Sequence, residues 1–134
     1  QVSSARKEGA MHFRFEKLDV WQKAVDFADQ VYRMTKGFPA DERFGLTNQL
    51  RRASVSVSSN IAEGTSRSSD RDKSRFIEMA YGSVMEVVSQ SHVARRQGFL
   101  NDTNFEQTCQ IADDLARMLS GFRNRLQGNK DDHQ

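Results

Sequence analysis

The sequence predicts an all-α protein, folded as an antiparallel up-down-up-down four-helix bundle. Three observations lead to this fold class. Apolar residues recur three and four residues apart along four long segments, short polar connections join these segments, and the 134 residues include one proline and eight glycines. An all-β chain needs many tight turns, which are rich in proline and glycine, so the composition argues against strands.

The chain length fits one domain with a single core. We expect residues 15–127 to form the bundle, with a flexible leader at residues 1–14 and a flexible tail at residues 128–134. Met11 resembles a natural start, so residues 1–10 are interpreted as an added leader.

The first predicted helix begins near Leu18 and stops at Gly37, Phe38 and Pro39. Two neighbouring apolar seams run along it: Leu18, Trp21, Val25, Ala28, Tyr32 and Thr35, and beside them Val20, Ala24, Phe27, Val31 and Met34. Together they make a face wider than one partner helix covers. We therefore predict contact with another copy of the chain, with Trp21 and Phe27 in the interface.

The second helix, predicted over residues 44–64, has apolar, polar and mixed sides. Its core seam consists of Leu46, Leu50, Ala53, Val57 and Ile61. A polar line runs beside the seam: Gln49, Arg52, Ser56, Asn60 and Glu63. Phe44, Val55 and Ala62 lie on the far side with Arg51, which predicts a second apolar contact with another copy.

The polar line has two interpretations. In the structural one, Arg52 pairs with Glu63 or with Glu86 of the third helix, and the network fixes the register of the helices. In the functional one, the same residues line a nucleic-acid site or a small-molecule pocket near Asn60 and Glu63. The structural interpretation is favoured because the line borders the core seam.

The last two helices follow small polar turns. The third spans about residues 70–97, with an N-cap at Ser68 or Ser69 and its end at Gly98. Thr103 and Glu106 have capping-box spacing at the start of the fourth. The apolar face of the fourth helix consists of Phe105, Cys109, Ala112, Leu115, Leu119, Phe122 and Leu126.

The charge of the chain gives little indication of its function. The net charge is +2 and the pI is about 8.9, which is weak support for nucleic-acid binding in a single chain. Candidate phosphate contacts are the basic residues Lys23, Arg33, Arg43, Arg51, Arg67, Arg71, Lys73, Arg75, Arg95 and Arg96. Each one taken alone is better explained as ordinary solvated charge, but symmetry in an assembly adds the patches together.

Catalysis is not expected. The Glu-x-x-His motif of bundle metal sites is missing, and His12, His92 and His133 are scattered. Cys109, the one cysteine, lies on an apolar face, and no Gly-rich phosphate loop occurs. We expect no metal and no cofactor. No apolar run reaches membrane-spanning length, and a cytoplasmic location is expected.

Several short motifs carry a family resemblance: Val20-Trp21-Gln22-Lys23-Ala24, Phe38-Pro39, Gly45-Leu46, Gln49-Leu50-Arg51-Arg52-Ala53, Asn60-Ile61-Ala62-Glu63-Gly64, Arg75-Phe76, Ala80, Gly82-Ser83 and Glu86. In this combination the chain resembles the small bacterial four-helix-bundle proteins encoded in intervening sequences of 23S rRNA genes. The resemblance implies a homopentamer. It also implies kinship with the accessory protein of diversity-generating retroelements, a basic pentameric barrel that binds nucleic acid and its reverse transcriptase.

Two functions from different classes remain. The first is a non-enzymatic oligomer that binds RNA or DNA through backbone phosphates with little sequence preference. The alternative is a protein–protein adaptor or scaffold that docks a reverse transcriptase or a ribosome-associated factor. Binding that depends on salt distinguishes the first, and a partner that stays bound after nuclease treatment distinguishes the second.

Overall fold

The computed structural model describes residues 11–132, with side chains described for residues 11–128. This part of the chain forms four α-helices: α1 (Asp19–Thr35), α2 (Leu46–Thr65), α3 (Asp70–Arg96) and α4 (Asp102–Asp132). Short 3-10 turns at Arg14–Lys17 and Ala40–Glu42 precede α1 and α2. The described residues contain no strand. The predicted all-α class is confirmed.

Local chemistry sets the helix boundaries. The Ser69 hydroxyl accepts a hydrogen bond of 3.1 Å from a first-turn backbone N–H of α3, as predicted for an N-cap. Gly98 has a φ of +80°, a left-handed conformation that favours glycine, and α3 ends before it. At the start of α4, the Asn101 side chain accepts a 2.8 Å bond from the Asn104 N–H. Asn101 therefore provides the cap, and the capping box predicted at Thr103 is wrong.

Contacts between helix ends define the topology. Gly64, near the end of α2, lies against Phe76, near the start of α3. His92, near the end of α3, has its ring centroid 4.8 Å from that of Phe105, near the start of α4. Farther from these turns, the Ser56 and Ser83 hydroxyls lie 2.9 Å apart and Arg123 lies 3.6 Å from Glu78, so α2 and α3 run antiparallel, and so do α3 and α4.

Helix α4 closes the bundle against α1. The buried Gln30 amide of α1 donates a 3.4 Å hydrogen bond to the Thr108 hydroxyl of α4. The same hydroxyl donates to the Asn104 carbonyl at 2.8 Å, so it is satisfied on both sides. Gln30 lies late in α1 and Thr108 early in α4, which makes these two helices antiparallel as well.

The core forms where the apolar seams meet. On α2, the predicted seam residues Leu50, Ala53, Val57 and Ile61 are buried. On α1, one of the two seams is buried throughout: Val20, Ala24, Phe27, Val31 and Met34. In the other seam Thr35 is buried, and Leu18 and Trp21 pack partly buried against the core. Phe27 has no exposed surface because the other helices of its own chain cover it. The prediction that Phe27 contacts a second copy is wrong.

The described secondary structure reaches beyond residues 15–127, the predicted limits of the bundle. Helix α4 continues to Asp132, since no proline interrupts its backbone hydrogen bonds. At the other end, the Phe13 N–H donates a 2.7 Å bond to the Glu16 carboxylate and introduces the turn before α1. Residues 1–10 and 133–134, which belong to the predicted leader and tail, lie outside the described residues.

Candidate nucleic-acid and self-association surfaces

The outer side of α1, α2 and the turn before α2 carries apolar side chains that are exposed or only partly buried. Phe44 exposes 86% of its surface and Val55 exposes 41%, while Ala62 is half-buried. On α1, Tyr32 exposes 42% and Trp21 is half-buried. We call these five residues the α1–α2 apolar face. Except for Phe27, the predicted interface residues all lie on it.

Arg51 joins the two helices at this face. Its Nε donates a 2.9 Å hydrogen bond to the Thr35 hydroxyl, and its guanidinium carbon lies 4.7 Å from the Tyr32 ring centroid. A cation over an aromatic ring at this distance is attracted by the ring quadrupole. Arg51, predicted as a phosphate contact, therefore already bridges α1 and α2.

Three other predicted phosphate contacts lie in ion pairs within the chain. Lys23 Nζ is 3.4 Å from Asp114, and Arg95 Nε is 2.9 Å from Asp102. Arg67 Nη2 is 3.2 Å from the Glu63 carboxylate. All three pairs are substantially exposed, and such pairs contribute little to stability. A phosphate can therefore compete for these cations at modest cost.

Six predicted contacts remain, and none of them forms an ion pair with the described side chains: Arg33, Arg43, Arg71, Lys73, Arg75 and Arg96. Lys73 is half-buried and the other five are exposed. The full set separates into two groups. Arg67, Arg71, Lys73 and Arg75 lie around the α2–α3 turn, while Arg33, Arg43, Arg51, Arg95 and Arg96 lie toward the opposite end. Helix α2 has 20 residues and so separates the groups by about 30 Å. One chain therefore presents two basic regions, with Lys23 between them on α1.

The α2–α3 turn has a feature that the sequence pattern did not reveal. The guanidinium carbons of Arg67 and Arg75 lie 4.5 Å and 5.3 Å from the centroid of the same ring, that of Phe76. Phe76 is 7% exposed. Gly64 permits this placement, because a Cβ at Gly64 would lie only 2.9 Å from the Phe76 Cβ. The sequence placed Phe76 in the short motif Arg75-Phe76 but gave no sign of these two contacts.

An open cleft of about 820 Å³ borders the same turn. Its lining consists of Ser69, Asp70, Arg71, Asp72, Ser74, Arg75, Glu78, Leu126 and Gln127. Two arginines and three carboxylates, all from the first turns of α3, thus line the cleft. The lining has no net positive charge, so we assign no anionic small molecule to this cleft.

The predicted polar network is smaller than expected. The Ser56 and Ser83 hydroxyls lie 2.9 Å apart and join α2 to α3, and the Asn60 amide donates to the Ser56 carbonyl at 2.9 Å. Arg52 is exposed and makes no ion pair among the described side chains, so its predicted pairing with Glu63 or Glu86 is absent.

The other members of the predicted network also lie at the surface. Gln49 is exposed, Glu63 binds Arg67, and Glu86 accepts a 3.2 Å hydrogen bond from Gln90. Long polar side chains on an outer face have several possible partners within reach, and spacing along the helix does not determine which partner is bound.

The titratable side chains examined for catalysis lie apart. Burial raises the pKa of the Cys109 thiol, and the nearby Glu106 carboxylate raises that pKa further while Arg95 lowers it. A thiol with a raised pKa is a poor nucleophile at neutral pH. Among the described residues, no three of His, Cys, Asp and Glu are grouped so that they could hold a metal ion. Similarly, no helix in the described part of the chain is long and apolar enough to cross a membrane.

The geometry defines a class of protein: a small antiparallel helical bundle whose distinctive side chains are surface arginines, exposed apolar residues and arginine–aromatic contacts. The family model described as 23S rRNA-intervening sequence protein matches residues 16–121, which is most of the chain. The chain belongs to this family.

A solved structure supports the fold. A protein of unknown function from the S23 ribosomal protein family of Bacteroides thetaiotaomicron is similar to this chain, with a TM-score of 0.70 and 18% sequence identity. The match covers 78% of this chain and 97% of that one. No curated protein matches the chain.

Proposed function

We propose that the protein is a non-enzymatic, cytoplasmic homo-oligomer that binds RNA or DNA through backbone phosphates with little sequence preference, and that it is a pentamer, as the family resemblance of its sequence implies. The observation that carries the proposal is the grouping of basic side chains at the α2–α3 turn. Arg67, Arg71, Lys73 and Arg75 occur within nine residues, and two of them lie on one ring. Asp70 and Asp72 lie in the same segment and Glu63 pairs with Arg67, so the proposal rests on the placement of the arginine donors rather than on net charge. A ring of copies repeats these donors at regular intervals, where a phosphate backbone can contact several of them.

The binding test uses the salt dependence of affinity. A fluorescent hairpin taken from 23S rRNA is the first probe, since the family is named for an intervening sequence of that RNA, and a DNA duplex of equal length is the second. We expect both to bind at 50 mM salt and both affinities to fall steeply at 200 mM, because phosphate contacts release counterions. An absence of binding at 50 mM, or an affinity indifferent to salt, contradicts the proposal.

Matched variants locate the contacts. Arg71→Gln should weaken binding to both probes and reduce the salt slope by about one. Arg117→Gln is the control, because Arg117 is an exposed arginine of α4 that pairs with Asp113 at 2.8 Å and lies outside the predicted set. Equal effects of the two substitutions would place the binding surface elsewhere.

Self-association is proposed to use the α1–α2 apolar face. Val55→Glu places a charge on this face and should reduce the sedimentation coefficient while leaving the helical circular dichroism spectrum unchanged. Asn124→Glu adds the same charge at an exposed position of α4 and is the control. If the Val55 variant sediments like the parent chain, this face is not the interface. Native mass spectrometry then counts the copies, and five are expected.

The alternative function, a protein adaptor, is favoured by a separate observation. Helix α3 exposes four further apolar side chains to solvent: Met79, Tyr81, Met85 and Val93. A reverse transcriptase or a ribosome-associated factor docked there should stay bound to the protein after nuclease treatment, and Met85→Glu should release it. Loss of the partner on nuclease treatment alone indicates a link through nucleic acid instead.

A further inference from the structure

We propose that Phe76 is a positioning residue that holds Arg67 and Arg75 as a paired clamp for phosphate groups of a nucleic-acid backbone, and that Glu63 competes with the phosphate for Arg67. This inference rests on the proposed nucleic-acid binding. It goes further by naming the side chains that set affinity at the α2–α3 turn.

The first step in the argument is that the ring can hold two cations without consuming their hydrogen-bond donors. Arg67 and Arg75 contact Phe76 at centroid distances of 4.5 Å and 5.3 Å. A guanidinium attracted to the face of a ring keeps its N–H groups free at its edge, and these groups match phosphate oxygens. The ring therefore orients both cations and leaves them able to bind an anion.

The second step is that the support is rigid. Phe76 is 7% exposed, and its Cβ lies so close to Gly64 that a side chain at Gly64 would have no room. The Arg67 backbone N–H donates a 3.1 Å bond to the Gly64 carbonyl, and the Ser66 N–H donates one of 3.1 Å to the Glu63 carbonyl. The Arg67 backbone and the Phe76 ring are thus held in place before a ligand arrives, which reduces the entropy lost on binding.

The third step concerns Glu63, which, unlike the Phe76 ring, occupies a hydrogen-bond donor of Arg67. Its carboxylate accepts a 3.2 Å hydrogen bond from Arg67 Nη2, and its side chain is 59% exposed. An exposed pair of this kind is weak, so a phosphate can displace the carboxylate. The displaced negative charge would still lie close to the phosphate and lower its affinity. Glu63 therefore limits binding at the turn, whereas Phe76 promotes it.

The main experiment is a double-mutant cycle read by binding of the rRNA hairpin. Phe76→Leu keeps an apolar side chain but removes the ring, and we expect it to weaken binding about fivefold, the factor expected from loss of ring contacts to two arginines. Arg75→Gln should weaken binding strongly in the parent chain and less in the Phe76→Leu background. Phe76→Tyr retains the ring and should restore both the affinity and the full effect of Arg75→Gln.

The outcomes separate this inference from the proposed function. If the parent chain binds no RNA, the proposed function fails. If the parent binds with the expected salt dependence but Arg75→Gln has the same effect with leucine, tyrosine or phenylalanine at position 76, the clamp is overturned and the proposed function stands.

A second measurement does not depend on how well the Phe76 variants fold. Glu63→Gln should tighten binding at low salt by a factor of about two to five, since it removes the competing carboxylate. Glu86→Gln is the matched control, with the same change of charge at an exposed position on α3 where the carboxylate contacts Gln90 and no arginine of the described residues. A gain of equal size in both variants, or no gain in the first, overturns the role of Glu63.

Discussion

Replacing Gly64 by alanine tests how closely α2 and α3 approach each other at their turn. A Cβ at Gly64 would lie 2.9 Å from the Phe76 Cβ and 3.6 Å from the Lys73 carbonyl oxygen. The first distance is shorter than two carbon atoms tolerate, and both neighbours belong to the rigid start of α3. The two helices must therefore separate, or the Phe76 ring must move.

Two opposed effects set the expected change in the free energy of unfolding. Overpacking of this kind costs about 1–3 kcal/mol. Alanine gains up to about 1 kcal/mol over glycine in a helix interior, and less at Gly64, which is the last but one residue of α2. The free energy of unfolding should fall by about 1–2 kcal/mol, which corresponds to roughly 3–6 °C in Tm.

Gly82→Ala is the matched control. Gly82 lies in the interior of α3, and a Cβ built there meets no atom within 4 Å. This substitution should therefore raise the free energy of unfolding by about 0.5–1 kcal/mol. Urea denaturation at one protein concentration measures both variants. If Gly64→Ala is also stabilising, the close approach of the two helices is refuted.

Three further predictions concern single side chains. Thr108→Val should lower the free energy of unfolding by about 1–2 kcal/mol in urea denaturation, because it leaves the buried Gln30 amide without its acceptor, while Thr108→Ser should lower it less. Ser69→Ala should cost about 1 kcal/mol by the same measurement through loss of the cap on the Asp72 N–H, and Ser69→Asp should be close to neutral. The pKa of Cys109 is raised in the folded chain, so alkylation of its thiol by iodoacetamide at pH 8 should be slower in the folded chain than in urea. The stability that the neutral thiol contributes should be lost as pH rises through the raised pKa. Equal alkylation rates in folded and unfolded chains would contradict that prediction.

The sequence predicted the number and type of the helices because their apolar spacing is regular. On α2, the seam from Leu50 to Ile61 is buried as its period requires. On α1 the period was ambiguous, because two apolar seams lie side by side and either could face the core. Phe27 was assigned to the interface for this reason, and only the packing of the other helices shows that it belongs inside.

The candidate sites were harder to predict because they depend on long side chains. Arg67 and Arg75 were predicted only as candidate phosphate contacts, and their spacing gave no sign that both would lie on Phe76. Arg52 was expected in an ion pair, yet it extends into solvent, since exposed arginines gain little from any one partner. Helical geometry determines the face on which a residue lies. Its partner also depends on how far along the neighbouring helix each side chain lies and on its rotamer, and the apolar spacing gives no information on either.

The packing of α4 against α1 has a consequence for the order of folding and of local unfolding. Each consecutive pair of helices forms a hairpin from residues close together in sequence, which favours rapid folding. The Gln30–Thr108 bond instead joins positions 78 residues apart, so its formation must await both hairpins. We therefore expect the contact between α1 and α4 to form last and to open first, so the amides of these two helices should exchange with heavy water sooner than those of α2 and α3.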